Sequence, residues 1–301
     1  MKSFNSAPLP ESDMGRVAAN IEKYQYPKAH AGIEQKKIKE ADFIGHYSSE
    51  SLARDREYVG RRKAQFSSDT SLQTVDKLSN DKIRKVSECA EFLIIEGIDK
   101  GWFPDCTVTK TSDYDDIANG VDCILEHKKG LNPASHLGLA IDVTCGQTME
   151  KKLSAIRENI DKGILPRIKY FKSGNFKGSM DNLPKVVAAI DVHAIDMIFK
   201  STTRGEDIGK HHIRITLLKQ FEMQLSAFEG YTRGSKPELT THFSTALHTV
   251  RSIIRELEQE MKKYDHILQE HPTLLKMKAI LAEQFPARPS KLPGRILRVE
   301  N

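Results

Sequence analysis

No stretch of this chain reaches the roughly 20 consecutive apolar residues that a membrane-spanning helix needs, so no segment is expected to cross a bilayer. The opening residues, MKSFNSAPLPESDMGR, lack the apolar centre of a secretory signal. Cysteine is scarce too. The four present, Cys89, Cys106, Cys123 and Cys145, form no CxxC pair and have no metal-ligand neighbours, which argues against a zinc site and for small buried side chains in a reducing compartment. A soluble, cytoplasmic protein is the expectation. Glycine-rich phosphate cradles and the common metalloprotease and hydrolase signatures are missing: there is no GxGxxG, P-loop, HExxH or GxSxG. The excess of basic over acidic residues, 46 against 41, is too small to imply nucleic-acid binding by itself, so local clusters would have to provide it. Aromatic residues make up 7% of the chain, with one tryptophan, Trp102, read as a core anchor.

What is present divides into four stretches. Residues 1–70 read as an irregular and helical extension, broken by Pro8, Pro10 and Pro27, with a polar helix over 48–65. That helix carries Arg54, Arg56, Arg61, Arg62 and Lys63. Residues 71–204 read as an α/β core. Apolar spacings of three and four predict a helix over 74–100. Strands follow at 106–111, 120–127 and 136–144, the last two forming an antiparallel hairpin. A helix over 148–162 precedes strand-like runs at 164–171 and 183–191, separated by a loop over 173–182, and a short helix from 192. Residues 205–285 show helical periodicity over 207–230 and 239–270, with a last helix after Pro272. They read as a helical hairpin packed on the core, with core packing the plainer role of the stripe Phe243, Leu247, Val250, Ile254, Leu257 and Met261, or as a coiled coil through which a homo-oligomer forms. Residues 286–301 form a basic tail.

Two apolar runs each hold an aspartate: Asp122 in GVDCILEH and Asp142 in HLGLAIDVT. A carboxylate inside an apolar strand is costly unless something pairs with it. Strand side chains alternate faces. Asp122 falls with Ile124 and Glu126, and Asp142 with Gly138, Ala140 and Thr144. If the strands are neighbours, both acids converge on one small-residue face. Two such carboxylates repel unless a proton or a cation lies between them. Magnesium, or manganese in its place, suits hard oxygen donors. An acidic segment, Asp113, Asp115 and Asp116, precedes the first run. Its functional reading is an added ligand, with Asp116 the candidate, and its plain reading is a turn whose Asp and Asn119 side chains cap backbone groups.

The segment from about 75 to 200 resembles the PD-(D/E)XK nuclease superfamily. Helix 74–100, the three strands, helix 148–162 and a strand over 165–171 follow that family's order, Asp122 matches its first acid, and Asp142 matches the acid of its second motif. The resemblance implies an α/β/α sandwich with a small mixed sheet, magnesium held by Asp122 and Asp142, and hydrolysis of nucleic-acid phosphodiesters; Asp116 is the added metal ligand that the acidic segment offers. Glu91, or Glu88, matches the family's first-helix glutamate. The family's lysine lies two residues after the second acid, where this chain has Thr144. Lys151, Lys152 and Lys169 are its candidate replacements, and Gln147 matches a polar position facing the site. The rival expectation is a non-catalytic structural or assembly protein that keeps a degenerate form of this fold.

Overall fold

The structure is a computed structural model describing residues 11–68, 80–128, 136–146, 148–174 and 176–287. It is a mixed α/β protein built around a four-stranded sheet in the order β1-β2-β3-β6. The strands are β1 (Cys106–Lys110), β2 (Cys123–Lys128), β3 (His136–Thr144) and β6 (Lys185–Ala189). β1, β2 and β3 run antiparallel, with Leu125 opposite Leu139 and Cys123 opposite Ile141. Helix α6 (Met149–Lys162) carries the chain across, and β6 returns parallel to β3, as a crossover of this length requires.

One face of the sheet, with Cys123, Leu125, Leu139 and Ile141, packs with Leu93 and Ile94 of helix α4 (Asn80–Asp99) in the main core. The other face, with Ile124 and Ala140, packs against Ile168, Phe171 and Leu183. Ile168 and Phe171 belong to β4 (Ile168–Ser173), which pairs with β5 (Phe176–Met180) in a separate two-stranded sheet.

Here the structure corrects the sequence reading. The stretch 164–167 is not strand; Pro166 cannot donate to a ladder, and Ile164 is exposed. The expected loop at 173–182 contains β5, whose sequence FKGSM has no apolar alternation to mark it. The strand that completes the crossover from β3 is therefore β6, not the run at 165–171.

The N-terminal stretch is more ordered than its proline content suggests. Helix α1 (Glu11–Asn20), a single π turn and helix α2 (Tyr26–Lys36) bury Ala18, Ile21, Ala29 and Ile33 against the main core. Pro27 lies in the first turn of α2, where its missing N–H is not needed. Helix α3 (Ser49–Ser68) follows, with the Ser48 hydroxyl accepting from Ser51 N. The acidic segment forms a short helix, α5 (Asp113–Asn119), capped by Ser112. Trp102 is fully buried and donates its indole N–H to Ile208 O at 2.5 Å. It lies so close on Gly97 that a Cβ there would stand 2.2 Å from the ring.

After α7 (Val192–Thr203) come α8 (Ile213–Thr232), α9 (Pro237–Glu256), α10 (Glu258–Glu270) and α11 (Pro272–Gln284). The expected helix over 239–270 is thus two helices, parted at Leu257. α8 packs along α9, with Phe228 and Phe243 rings 5.4 Å apart.

α8 also closes the free edge of β6. The Gln224 side chain accepts from Val187 N at 2.7 Å and donates to Val187 O at 2.8 Å. Gln220 does the same at Ala189, with both bonds 2.8 Å. Four helical residues rise about 6 Å and two strand residues about 6.6 Å, so glutamines spaced by four match backbone groups spaced by two. Of the tail, residues 288–301 lie outside the described residues. Among the described residues no helix is long and apolar enough to cross a membrane.

Candidate functional site

Charged side chains gather at the end of the sheet where β1 and β3 finish and β2 begins. The β2–β3 register sets Ile124 opposite Ala140; one alternation further brings Asp122 opposite Asp142, on the same face. Asp122 N donates to Ile141 O, and the Asp122 carboxylate accepts from Val143 N at 2.5 Å. That anchors the acid to the neighbouring strand. The Asp122 side chain keeps some exposure at the rim. Burial and then the negative charge of Asp116 push its carboxyl above the ordinary range, against the pull of Lys152 and Lys110.

Asp142 is buried at 6% exposure and meets two ammonium groups. Lys152, one turn into α6, pairs with its Oδ1 and donates to Val143 O at 2.6 Å. Lys185, at the start of β6, lies 2.8 Å from its Oδ2 and donates to Asn119 O at 3.2 Å. Burial works against the charge on Lys152, yet Asp142 and Asp122 hold its pKa above the usual lysine value.

Gly120 makes this convergence possible. It ends α5 in the left-handed region, φ +59°, where glycine is favoured. A Cβ there would stand 3.0 Å from Lys185 Nζ and 3.6 Å from Asp142 Oδ2.

From the α4 side comes Glu91, buried, with its Oε1 2.8 Å from Lys110 Nζ. The contact is an ion pair by distance but lacks hydrogen-bond direction, leaving Oε1 without a hydrogen-bond donor. Lys110 is 2% exposed and also lies 3.4 Å from Asp116. Burial opposes its charge, and Glu91, Asp116 and Asp122 together raise its pKa well above the usual value. Glu91 is pushed upward by burial, and Lys110 offsets this only in part.

The other candidates part company with this cluster. Lys151 is exposed. Glu88 turns to His30 and Arg84. Lys169 sits with α3, 2.5 Å from Asp55 Oδ2 and 2.9 Å from Ser51 Oγ. The rings of Tyr47, Tyr114 and Tyr170 surround it at 5.2 to 5.4 Å. Asp115 is fully buried and accepts from Lys169 N, Tyr170 N and Asn119. It ties the backbone of β4 to α5, a helix where the plain reading of the segment had a turn. Asp113 pairs with Lys37 and Lys63. Gln147 lies outside the described residues.

Sequence reasoning missed Lys110 and Lys185. Both stand inside β-branched or apolar runs, TVTKT and LPKVVAA. The argument that singled out the aspartates, a charge in a strand that needs a partner, applies to them equally.

Among the described residues no group of three or more His, Cys, Asp or Glu is drawn together closely enough to hold a metal ion. The chemistry of the donors is nonetheless that of a hard cation. Asp116, Asp122 and Asp142 offer oxygen donors only, the type a hard divalent ion takes, while burial pushes the Asp122 and Glu91 carboxyls above their ordinary range. Comparison of the chain with models of protein families, with curated proteins and with solved structures gives no match.

Proposed function

We propose that the chain is a divergent PD-(D/E)XK nuclease that hydrolyses nucleic-acid phosphodiesters with a bound divalent cation. The observation that carries this reading is the Lys152 ammonium at the carboxylate of Asp142. It supplies from the following helix the positive group that the family places two residues after this acid, where Thr144 stands. The strand order, with a helix before β1 and the α6 crossover between β3 and parallel β6, supports a sheet of the family's kind, although the face opposite α4 packs on Ile168 and Phe171 of β4 and not on a helix. The packing of α8 on α9 supports the C-terminal helical hairpin, and Phe243, Leu247 and Val250 of its apolar stripe lie within the chain's own core.

Asp122 and Asp142, joined by Asp116, would hold magnesium or manganese. When bound, such an ion polarises the phosphate and lowers the pKa of a bound water. Lys152 holds its proton at neutral pH and stabilises charge building on the phosphate oxygens. Glu91 lies 2.8 Å from the Lys110 ammonium beneath the acids. Helix α3 packs on α5 and exposes Arg54, Arg56 and Arg61 beside the site, where a nucleic-acid backbone would find positive charge.

The test is cleavage of plasmid, linear duplex, single-stranded DNA and RNA with magnesium or manganese. Wild type is expected to cut at least one of them. Asp122→Asn and Lys152→Met, with the fold checked by circular dichroism, are expected to lose about 100-fold or more. A wild type inert on every substrate with both ions overturns the reading. A second reading, a non-catalytic assembly protein on the same fold, is favoured by one observation: both oxygens of Asp142 already face ammonium groups.

A further inference from the structure

The geometry points to Lys185 as an internal counter-ion of Asp142, a tethered cation that a divalent metal must displace to reach that carboxylate. The inference rests on the metal-binding reading proposed above and says how the site is regulated.

Lys152 and Lys185 are not equivalent partners. Lys152 approaches Oδ1 from α6, with its side chain 27% exposed and a strand carbonyl, Val143 O, as its second acceptor. Lys185 approaches Oδ2 from inside the sheet, with its side chain 10% exposed. It starts two positions before the residue paired with Asp142: Ala140 is opposite Lys185, and Asp142 is opposite Val187. Its side chain therefore runs along the small-residue face toward the acid, on the side roofed by Gly120. Because glycine stands there, the ammonium sits where a Cβ on residue 120 would press on it at 3.0 Å. Its other acceptor, Asn119 O at 3.2 Å, belongs to the last residue of α5.

This arrangement fits a removable occupant. An ammonium sits about 2.8 Å from its oxygen acceptor, whereas magnesium binds oxygen at about 2.0–2.1 Å. Both cannot serve the same lone pairs, and the like charges repel. Asn119 O gives the displaced ammonium an acceptor close by, so metal entry does not strand the lysine. Both oxygens of Asp142 are turned to these two lysines.

The experiment is calorimetric titration of manganese into metal-stripped full-length protein, comparing wild type, Lys185→Met, Lys185→Arg and Asp142→Asn. Thermal melts in chelator and in excess manganese accompany it. We expect Lys185→Met to bind manganese about tenfold or more tightly than wild type, Lys185→Arg to stay near wild type, and Asp142→Asn to bind weakly or not at all. In chelator Lys185→Met should melt below wild type, and excess manganese should close that gap. If wild type binds manganese and Lys185→Met binds it no tighter, the counter-ion role is overturned while the metal site stands. If neither wild type nor any lysine variant binds manganese, the metal-binding reading fails and this inference falls with it. Should Lys185→Met not fold, Lys185→Gln, which keeps a polar end near Asn119 O, takes its place under the same criteria.

Discussion

Two regions of the sheet bury polar groups, and they do so in opposite ways. At the outer edge of β6, Gln220 and Gln224 meet the backbone of Val187 and Ala189 with four neutral hydrogen bonds of 2.7 to 2.8 Å. Each amide's geometry is used on both its donor and its acceptor side. At the end of β1, β2 and β3, four acids face three lysines. There Asp122 and Glu91 are pushed toward protonation, and one buried glutamate oxygen lacks a donor. Satisfied neutral networks hold a fold in one state. Strained charged clusters are where titrating and ion-binding groups gather. The edge reads as architecture, and the end of the sheet as chemistry.

The contrast can be broken first at Asp142. Asp142→Ala strands two part-buried ammonium groups, and removing one member of a buried ion pair costs about 3–5 kcal/mol. Urea unfolding monitored by far-UV circular dichroism should show the midpoint drop. Next in size, Gln224→Ala leaves the N–H and C=O of Val187 without partners. Such groups cost about 1–3 kcal/mol when unsatisfied, so a loss of about 2–3 kcal/mol is expected. It should be the same at pH 5 and pH 8, because nothing there titrates.

Asp122→Asn should behave in the reverse sense. An acid whose pKa is raised on folding contributes stability below the ordinary carboxylate range, and that contribution is lost as pH rises through the raised value. In chelator the variant should therefore melt above wild type at pH 8, with the gap closing toward about pH 4. Equal melting temperatures throughout would remove the electrostatic strain from the account. The smallest effect belongs to Lys151→Ala. Its side chain is exposed, and it should leave both stability and manganese binding unchanged, separating it from its neighbour Lys152.

Much of this contrast could be read from the chain, and the unread part has a common cause. Helix α4, the β2–β3 hairpin and the crossover helix α6 follow from spacing alone, because each has an apolar face of regular period and clear stop signals such as Gly163. The Asp122–Asp142 face follows from alternation. β5 was illegible because FKGSM pairs only with its neighbour and buries little beyond Gly178. α1 and α2 were hidden because four well-placed apolar residues suffice when α4 offers the other half of the contact. The lysines needed the tertiary structure. Lys110 and Lys185 earn their roles from partners 19 and 43 residues away in sequence, and no local pattern encodes such a meeting.

The tyrosine ring around Lys169 has a consequence for the boundary near residue 70. Asp55 and Ser51 of α3 hold an ammonium that originates in β4, and Phe43 packs edge-on against Tyr170. A chain shortened to begin after that helix would leave Lys169 without its anion and turn the Tyr114 and Tyr170 rings toward water. The new surface would be sticky and aromatic. Shortened versions should therefore be judged by solubility before they are judged by activity.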